Sequence, residues 1–230
     1  MEQVYVKNLF NSIAKKYDFL NHFLSVGIDF YWRRKAVNLL KKSNPKIILD
    51  LATGTGDFAV ALSKLNPNKI FAIDISSEMI SVGIDKIAKK KLDKIISFEI
   101  GAAENMRFES NSIDAVTVGF GVRNFENLEK GLSEIYRVLK NNGQTAILEF
   151  SRPRNIIFKK IYYFYFKNIL PLVGKLISKS DFAYQYLPES VMKFPDGEEF
   201  ISIMKNVGFK NISEKRLTFG IVTIYFAVKD

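Results

Sequence analysis

A glycine-rich turn is the feature of this sequence whose residue types point most directly to ligand binding. Positions 50–57 read Asp-Leu-Ala-Thr-Gly-Thr-Gly-Asp and follow an apolar run typical of a strand. Gly54 and Gly56 allow a positive φ and a close approach of the backbone to a ligand. Asp74 ends a second apolar run, 20 residues beyond Gly54, where a carboxylate can accept hydrogen bonds from a ribose diol. The turn and the acid predict a nucleoside site; the structural alternative is a tight turn beside a capping Asp.

The identity of the nucleoside has two candidates. Gly54, Gly56 and Ala59 satisfy the permissive Gly-x-Gly-x-x-Gly/Ala fingerprint of nicotinamide dehydrogenases. S-adenosylmethionine is favoured because Asp50, four residues before Gly54, can reach through the turn toward the amino-acid part of that cofactor. In addition, 230 residues leave no room for a separate substrate domain. The pattern therefore favours a methyltransferase over a dehydrogenase.

Several classes of chemistry lack the residues they need. The chain has no cysteine and a single histidine, His22. Disulfides, thiol catalysis and Cys-ligated metal are excluded, and a zinc site or a Ser-His-Asp triad has almost nothing to be built from. We therefore expect no metal, and a reaction that needs no covalent nucleophile.

The segments around the turn alternate between strand-like and helical patterns. Strands are predicted at 46–52, 69–75, 95–100, 113–118 and 144–150, and helices at 58–65, 76–91 and 131–139. This βαβα order predicts a parallel, doubly wound α/β sheet. Two further strand-like runs, 209–216 and 221–228, are joined too closely for a crossover helix and are predicted to pair as an antiparallel hairpin.

The remaining segments flank this sheet within one domain, 1–230. Residues 1–40 look helical and are predicted to form an N-terminal lid, and the aromatic-rich stretch 152–195 is predicted to be a helical insert. Within it, 156–167 is apolar nearly all round, too short to span a membrane, and bordered by lysines. It predicts a site for an isoprenoid tail with peripheral membrane attachment; the alternative is a helix packed on the core.

Charge and hydropathy leave the partner open. The net charge of +10 fits a nucleic acid or an anionic membrane, but scattered lysines also fit a genome rich in Lys, Ile, Asn and Phe. No window approaches the roughly 18 apolar residues of a membrane span, and the first 17 residues lack the apolar region of a secretory signal. We expect a cytoplasmic protein, with the inner face of the cytoplasmic membrane as its peripheral site; a homo-oligomer remains open.

Four blocks carry a resemblance to a known family. They are 17–32 (Tyr-Asp-Phe-Leu-Asn-His through Trp), 120–124 (Phe-Gly-Val-Arg-Asn), 137–140 (Arg-Val-Leu-Lys) and 148–151 (Leu-Glu-Phe-Ser). With the glycine turn they make the chain resemble, nearly end to end, the demethylmenaquinone methyltransferases and 2-polyprenyl-methoxy-benzoquinol methylases. Asp29 stands where that family usually has His, and Asn141-Asn142 replaces its Pro-Gly.

The resemblance implies a fold and a cofactor set. The fold is the class I Rossmann-like methyltransferase, a mostly parallel seven-stranded sheet closed by the hairpin, and the cofactor is S-adenosyl-L-methionine. The expected cofactor-binding residues are Asp50, Gly54, Thr55, Gly56, Asp74, Ala102, Ala103 and Gly119. The family usually has a polar residue at the position of Ala102, so Glu104 is an alternative source of a polar group.

The resemblance also implies C-methylation of a prenylated quinol, which requires stabilisation of a developing phenolate. Arg123 is the candidate for that role with Asn124 orienting it, and a structural salt bridge is the alternative. Tyr17, Asp18 and Asn21 are the candidate substrate-binding residues of the lid, unless they only cap and pack the first helix.

Demethylmenaquinol is the expected acceptor, with 2-polyprenyl-6-methoxy-benzoquinol as the alternative. A nucleic-acid methyltransferase is disfavoured because positions 119–124 lack an Asn/Asp-Pro-Pro-aromatic motif, so we expect no nucleic-acid partner. A non-catalytic binding protein is disfavoured because the glycines and Asp74 are present.

Overall fold

A single mixed sheet forms the centre of the protein. The computed structural model describes residues 3–164, 168 and 181–230. Within them, seven strands are ordered β3-β2-β1-β4-β5-β7-β6. The strands are β1 (Ile47–Leu51), β2 (Lys69–Asp74), β3 (Ile96–Ile100), β4 (Ile113–Gly119), β5 (Leu139–Phe150), β6 (Lys210–Leu217) and β7 (Val222–Val228). The first five run parallel, and β7 pairs antiparallel with β5 and β6. The predicted parallel sheet with an antiparallel hairpin is confirmed.

Helices cover both faces of this sheet. They are α1 (Gln3–Leu24), α2 (Ile28–Leu40), α3 (Asp57–Leu62), α4 (Ser77–Lys89), α5 (Leu128–Val138), α6 (Ile156–Phe164), α7 (Asp181–Lys193) and α8 (Glu198–Val207). Alternation along β1 sends Leu49 and Leu51 into an apolar layer with α5 and α8, while Ile48 joins the opposite layer with α2 and α3. The site-bearing strands are therefore anchored on both sides.

The strand order places one crevice at the carboxyl edge of the sheet. The chain leaves β1 toward β2 on one side, whereas β4 lies on the other side, with Leu51 opposite both Ile73 and Val118. Ligands of open α/β sheets bind at such a switch point, outside the carboxyl ends of the strands. The glycine turn after β1 and the Phe-Gly-Val-Arg-Asn block after β4 meet there.

The N-terminal segment consists of two helices separated by a sharp corner. Val26 and Gly27 both have positive φ, 51° and 72°, which ends α1 and starts α2 in a new direction. The break was not predicted, because valine rarely adopts the left-handed region. α1 packs against α4, and α2 packs against β5 and α3.

The predicted insert is helical in its described parts, as α6 and α7. Residues 165–167 and 169–180, including the end of the predicted 156–167 segment, lie outside the described residues. No helix of the described chain combines the length and the apolar character needed to cross a bilayer.

Some element boundaries differ from the sequence prediction. β5 begins at Leu139 and not at 144, since Asn142 takes a positive φ of 64° and its N–H donates to the Lys229 carbonyl beside the hairpin. α8 was not predicted at all. The predicted helix at 76–91 is capped by Ser76, whose hydroxyl accepts from the Met79 N–H at 3.1 Å.

Candidate active site

The turn after β1 has the backbone conformation that its glycines allow. Gly54 has φ 57° and Gly56 has φ 82°. A Cβ on Gly56 would lie 2.6 Å from Cζ of Phe98 on β3, which is far inside contact distance. The absence of a side chain at this position therefore lets the turn after β1 pack against the Phe98 ring.

Asp74 holds the turn in place by accepting a hydrogen bond from its backbone. Its buried carboxylate accepts from the N–H of Gly54 at 2.8 Å and from the N–H of Ser76 at 2.9 Å. Burial raises the pKa of this carboxyl, while these backbone donors favour its charged form. Asp74 also lines a small pocket of about 60 Å³, where its remaining lone pairs can accept from a hydroxyl.

The small pocket brings together half of the predicted cofactor residues. Gly54, Asp74, Ala103 and Gly119 line it, together with Glu104. Its apolar walls, which sequence reasoning missed, are Phe10, Ile75, Met79 and Phe125. These residues make part of the pocket wall apolar, and no local sequence signal distinguishes them from ordinary core residues.

Asp50 lies beside the turn and outside the pocket lining. Its fully buried carboxylate accepts from the hydroxyls of Thr53 and Thr117, both at 2.6 Å. Burial raises the pKa of this carboxyl to about 6, against the lowering effect of the two hydroxyls. Alternation along β1 points Asp50 to the same face of the sheet as Ile48, where its hydrogen bond with Thr53 braces the turn.

Thr55, Gly56 and Ala102 are the other predicted cofactor residues absent from the pocket lining. The buried Thr55 hydroxyl donates to Asp18 and accepts from the Lys86 ammonium at 3.0 Å. Because these partners come from α1 and α4, Thr55 ties the turn to the N-terminal helix.

A second, larger cavity of about 380 Å³ lies beside the first. Phe10, Tyr17 and Phe120 line both spaces and separate them. The remaining lining is mostly apolar and comes from α1, α2, α6, α7 and the hairpin: Leu9, Ile13, Leu20, Leu24, Val26, Ile28, Trp32, Phe150, Phe158, Tyr162, Leu187 and Ile221. A cavity of this kind fits an apolar, partly aromatic ligand.

Arg123, in the block after β4, places its cationic side chain at this cavity. Its Nη1 donates to Glu149 Oε1 at 2.6 Å and to the Phe120 carbonyl, and its Nε donates to Ser190 Oγ at 3.2 Å. Glu149 is completely buried, which raises the pKa of its carboxyl even though Arg123 favours the charge. Among the described residues Nη2 has no hydrogen-bond partner, and Arg123 lines the cavity, so the Nη2 edge of the guanidinium can donate to a ligand there.

Asn124 faces the other space. Its side chain lines the small pocket, and its Oδ1 accepts from the Tyr186 hydroxyl at 2.7 Å. Ser190 and Tyr186 both belong to α7, so this helix holds both residues of the predicted catalytic pair. Sequence reasoning missed α7 in this role, although Glu149 carried a signal as an acid within an apolar strand.

The predicted lid residues divide into two groups. Tyr17 and Asn21 line the larger cavity, whereas Asp18 points to Lys86 at 2.7 Å. Burial raises the pKa of Tyr17, whose ring also lies 3.7 Å from where a Cβ on Gly54 would stand. α1 therefore roofs both spaces.

An ion-pair network fastens this roof. Lys86 bridges Asp18 and Asp57, and His22 lies between Asp57 at 3.4 Å and Asp29 at 2.8 Å. Arg33 pairs with the same oxygen of Asp29, which lowers the pKa of that carboxyl together with Ser25. His22, Asp29 and Asp57 cluster closely enough to be considered as metal ligands, but Arg33 and Lys86 already balance their charge.

Comparisons with known proteins find relatives along nearly the whole chain. The model of the ubiE/COQ5 methyltransferase family matches residues 1–229. A demethylmenaquinone methyltransferase of Bacteroides fragilis is 48% identical over 225 residues, covering 97% of this chain and 92% of the relative. The ubiquinone/menaquinone biosynthesis C-methyltransferase UbiE of Geotalea daltonii is 44% identical over 226 residues, with coverages of 97% and 96%.

Solved structures match the fold at low sequence identity. A SAM-dependent methyltransferase from Aquifex aeolicus superposes with a TM-score of 0.61 at 19% identity, covering 85% of this chain and 89% of that one. Phosphoethanolamine N-methyltransferase 2 of Haemonchus contortus, in complex with S-adenosyl-L-methionine, gives 0.62 at 17% identity, with coverages of 96% and 60%.

Proposed function

This chain belongs to the ubiE/COQ5 methyltransferase family, and on that premise we propose that it transfers a methyl group from S-adenosylmethionine to a ring carbon of a prenylated quinol. Demethylmenaquinol is the first candidate acceptor, in line with the name of the relative from Bacteroides fragilis. The observation that carries the proposal is the apolar cavity of about 380 Å³ that reaches Arg123 and shares its inner wall with the small pocket.

The residues of the small pocket suit the cofactor. The free lone pairs of the Asp74 carboxylate would accept from the ribose hydroxyls, and Ala103, Met79 and Phe125 would contact the base. Gly54 leaves room for the amino-acid part. When bound, the cofactor supplies an electrophilic methyl group.

Arg123 would make the acceptor nucleophilic. A ring carbon of a quinol gains electron density when a neighbouring hydroxyl loses its proton, and the guanidinium stabilises the resulting oxyanion. Because Glu149 and Ser190 already hold Arg123 in place, little reorganisation is needed at the moment of reaction. Asn124, which lines the small pocket, would orient the groups where the two spaces meet, and Tyr17 and Asn21, which line the larger cavity, would exclude water from the acceptor.

Peripheral membrane attachment through α6 belongs to the same proposal. Ile156, Ile157 and Phe164 are exposed, whereas Phe158 and Tyr162 line the cavity, so one helix touches both solvent and the acceptor space. At low salt the protein should float with phosphatidylglycerol-containing liposomes; if all of it stays at the bottom of the gradient, the attachment is wrong.

A direct assay tests the reaction. Purified protein and S-adenosylmethionine are incubated separately with demethylmenaquinol, 2-polyprenyl-6-methoxy-benzoquinol and unmodified tRNA, and products are identified by mass spectrometry. We expect a mass gain of one methyl group on demethylmenaquinol. Faster turnover of the benzoquinol would make it, and not demethylmenaquinol, the preferred acceptor. Methylation of tRNA alone would overturn the proposal.

A further inference from the structure

Large apolar side chains are exposed where the larger cavity opens. Val26, which lines the cavity, is itself 84% exposed, so the opening lies at the α1–α2 corner. Phe23 on α1, Ile157 on α6 and Phe219 at the tip of the hairpin are 55%, 68% and 67% exposed. We call Phe23, Val26, Ile157 and Phe219 the apolar rim.

The hairpin tip that carries Phe219 contacts both α2, which follows the Val26 corner, and α6, which carries Ile157. Trp32 of α2 donates from its indole N–H to Thr218 Oγ1 at 2.7 Å, next to Phe219. The Phe219 ring stacks on Phe158 of α6 with centroids 4.0 Å apart. Thr218 and Phe158 also line the cavity. Val26 itself lines the cavity, and Ile157 and Phe219 are chain neighbours of the lining residues Phe158 and Thr218, so these rim residues lie beside the same cavity.

The backbone at two rim positions is unusual for the side chain present. Val26 has φ 51° and Phe219 has φ 57°, where glycine or asparagine is the ordinary choice. Phe219 is held by stacking on Phe158, whereas Val26 presents an almost fully exposed side chain at a strained position.

Most of the charges around the rim are positive. In residues 3–42, 151–164 and 215–228, which contain the rim, the only acids are Asp18 and Asp29, and both turn inward to Lys86 and Arg33. The basic residues there include the exposed Lys15, Arg34 and Lys159. Lys15, Phe19 and Phe23 are spaced four residues apart on α1, so a cation and two aromatic rings share one helical stripe.

We infer that the apolar rim is a docking face for an anionic lipid bilayer, which it enters with the cavity opening against the acyl region. Exposed apolar tips among cations suit the boundary between phosphate groups and acyl chains. This goes beyond attachment by α6, because it adds the α1–α2 corner and the hairpin tip. In the part that rests on the proposed function, the isoprenoid tail of the acceptor passes from the bilayer into the cavity without crossing water.

Single labels on the holoprotein can locate the face. The natural chain has no cysteine, so Val26→Cys and Phe219→Cys each create a unique site for a polarity-sensitive dye. Asn68→Cys, exposed just before β2 at the opposite edge of the sheet, is the matched control. With phosphatidylglycerol–phosphatidylcholine vesicles, we expect blue-shifted emission at 26 and 219, no shift at 68, and reversal by salt.

Three results would overturn the docking face. The first is vesicle binding with water-like emission at both rim labels, which would leave α6 or another surface as the contact. The second is no vesicle binding at low salt. The third is a blue shift that grows with protein concentration without vesicles, which would assign the rim to contact between two copies of the chain.

A kinetic comparison separates this inference from the proposed function. Phe23→Ser/Phe219→Ser should raise the KM for a long-tailed acceptor presented in vesicles about tenfold or more, since apolar area that anchors the enzyme is lost. Turnover of a short-tailed, water-soluble acceptor should be unchanged. If neither acceptor reacts even with the natural protein, the proposed function fails while the label result stands. Equal KM values for variant and natural protein in vesicles would reject the docking face.

Discussion

Arg123 owes its position to a carboxylate that water cannot reach. Glu149 accepts from both the backbone N–H and Nη1 of Arg123. Ser190 accepts a further hydrogen bond from Nε. A buried pair of this kind is costly to desolvate and gives little net stability. Its benefit lies in orientation, because a fixed guanidinium need not rearrange when charge develops on an acceptor oxygen.

Replacing Arg123 tests this role directly. Arg123→Ala should lower kcat by roughly 100-fold or more, as loss of an oxyanion donor does, while the affinity for S-adenosylhomocysteine holds, because Arg123 does not line the small pocket. Arg107→Ala is the matched control, since Arg107 is largely exposed and pairs with Glu99 at the surface. Steady-state kinetics with calorimetric titration decide it, and an unchanged kcat would remove Arg123 from the mechanism.

Asp50 should make stability depend on pH. Its folded-state pKa of about 6 lies above the ordinary value of 3.8. Between these values the folded protein keeps a proton that the unfolded chain has released, so this residue makes the protein less stable as pH rises through the window. Asp50→Asn removes the effect. The free energy of unfolding of Asp50→Asn, relative to that of the natural protein, should rise by on the order of 2 kcal/mol between pH 4 and pH 7.

Urea denaturation of both proteins without ligand, at several pH values, measures that gain. Other titrating groups are common to both and cancel in the difference. A constant difference across the window would show that Asp50 stays charged in the fold.

At the scale of elements, the turn after β1 depends on the space that Phe98 fills. The Phe98 ring lies against both Gly56 and Gly83, so one β3 side chain packs the turn against α4. Gly56→Ala should destabilise the protein by about 2–4 kcal/mol, through left-handed strain and overlap with the ring. Gly27→Ala has similar strain at φ 72° and nothing within 4 Å, so it should lose only about 1 kcal/mol.

Unfolding in urea gives both values. Repeating Gly56→Ala in a Phe98→Leu background should bring its cost close to that of Gly27→Ala, because the overlap is gone. Equal costs for Gly56→Ala and Gly27→Ala in the natural background would mean that the ring moves aside freely.

Lys86 is the clasp between α1 and the turn. Lys86→Met leaves Asp18 and Asp57 without their shared cation, so α1 should open more often and S-adenosylhomocysteine should dissociate about tenfold faster. Lys89→Met, an exposed lysine at the end of the same helix, is the control. Stopped-flow dissociation and amide exchange of residues 3–24 measure the effect. Unchanged rates with unchanged protection would contradict a clasp.

Local patterns account for what the sequence predicted at this scale. Strands β1 to β4 and the hairpin were found because apolar runs and turn residues lie within a few positions of one another. The orientation of Asp50 depends on Thr117, and that of Asp18 depends on Lys86, each more than 60 positions away. For the same reason the support of Arg123 by α7 and the cavity walls could not be predicted, since each follows from packing between distant segments. The corner at Val26 was missed because valine rarely adopts the left-handed region.

At the scale of the whole molecule, the two ligand spaces share walls and should therefore be coupled. Phe10 and Tyr17 lie on α1, and Phe120 directly follows β4. Each of these residues lines both spaces. Phe120 has a positive φ of 59°, a conformation that a bulky residue keeps only when its surroundings fix it. A ligand in either space should therefore fix the positions of these shared rings and so favour binding in the other space.

Thermodynamic linkage makes that expectation quantitative. If S-adenosylhomocysteine tightens the binding of a menaquinone analogue by some factor, the analogue must tighten S-adenosylhomocysteine by the same factor; we expect about tenfold, within the usual range of coupling free energies. Tyr17→Ala should bring the factor close to one, because the main shared ring is lost, even if both affinities fall. Calorimetric titrations in both orders measure it. Independent binding in the natural protein would mean that the shared rings are rigid before either ligand arrives, and α1 would then be a fixed wall of the site and not a lid.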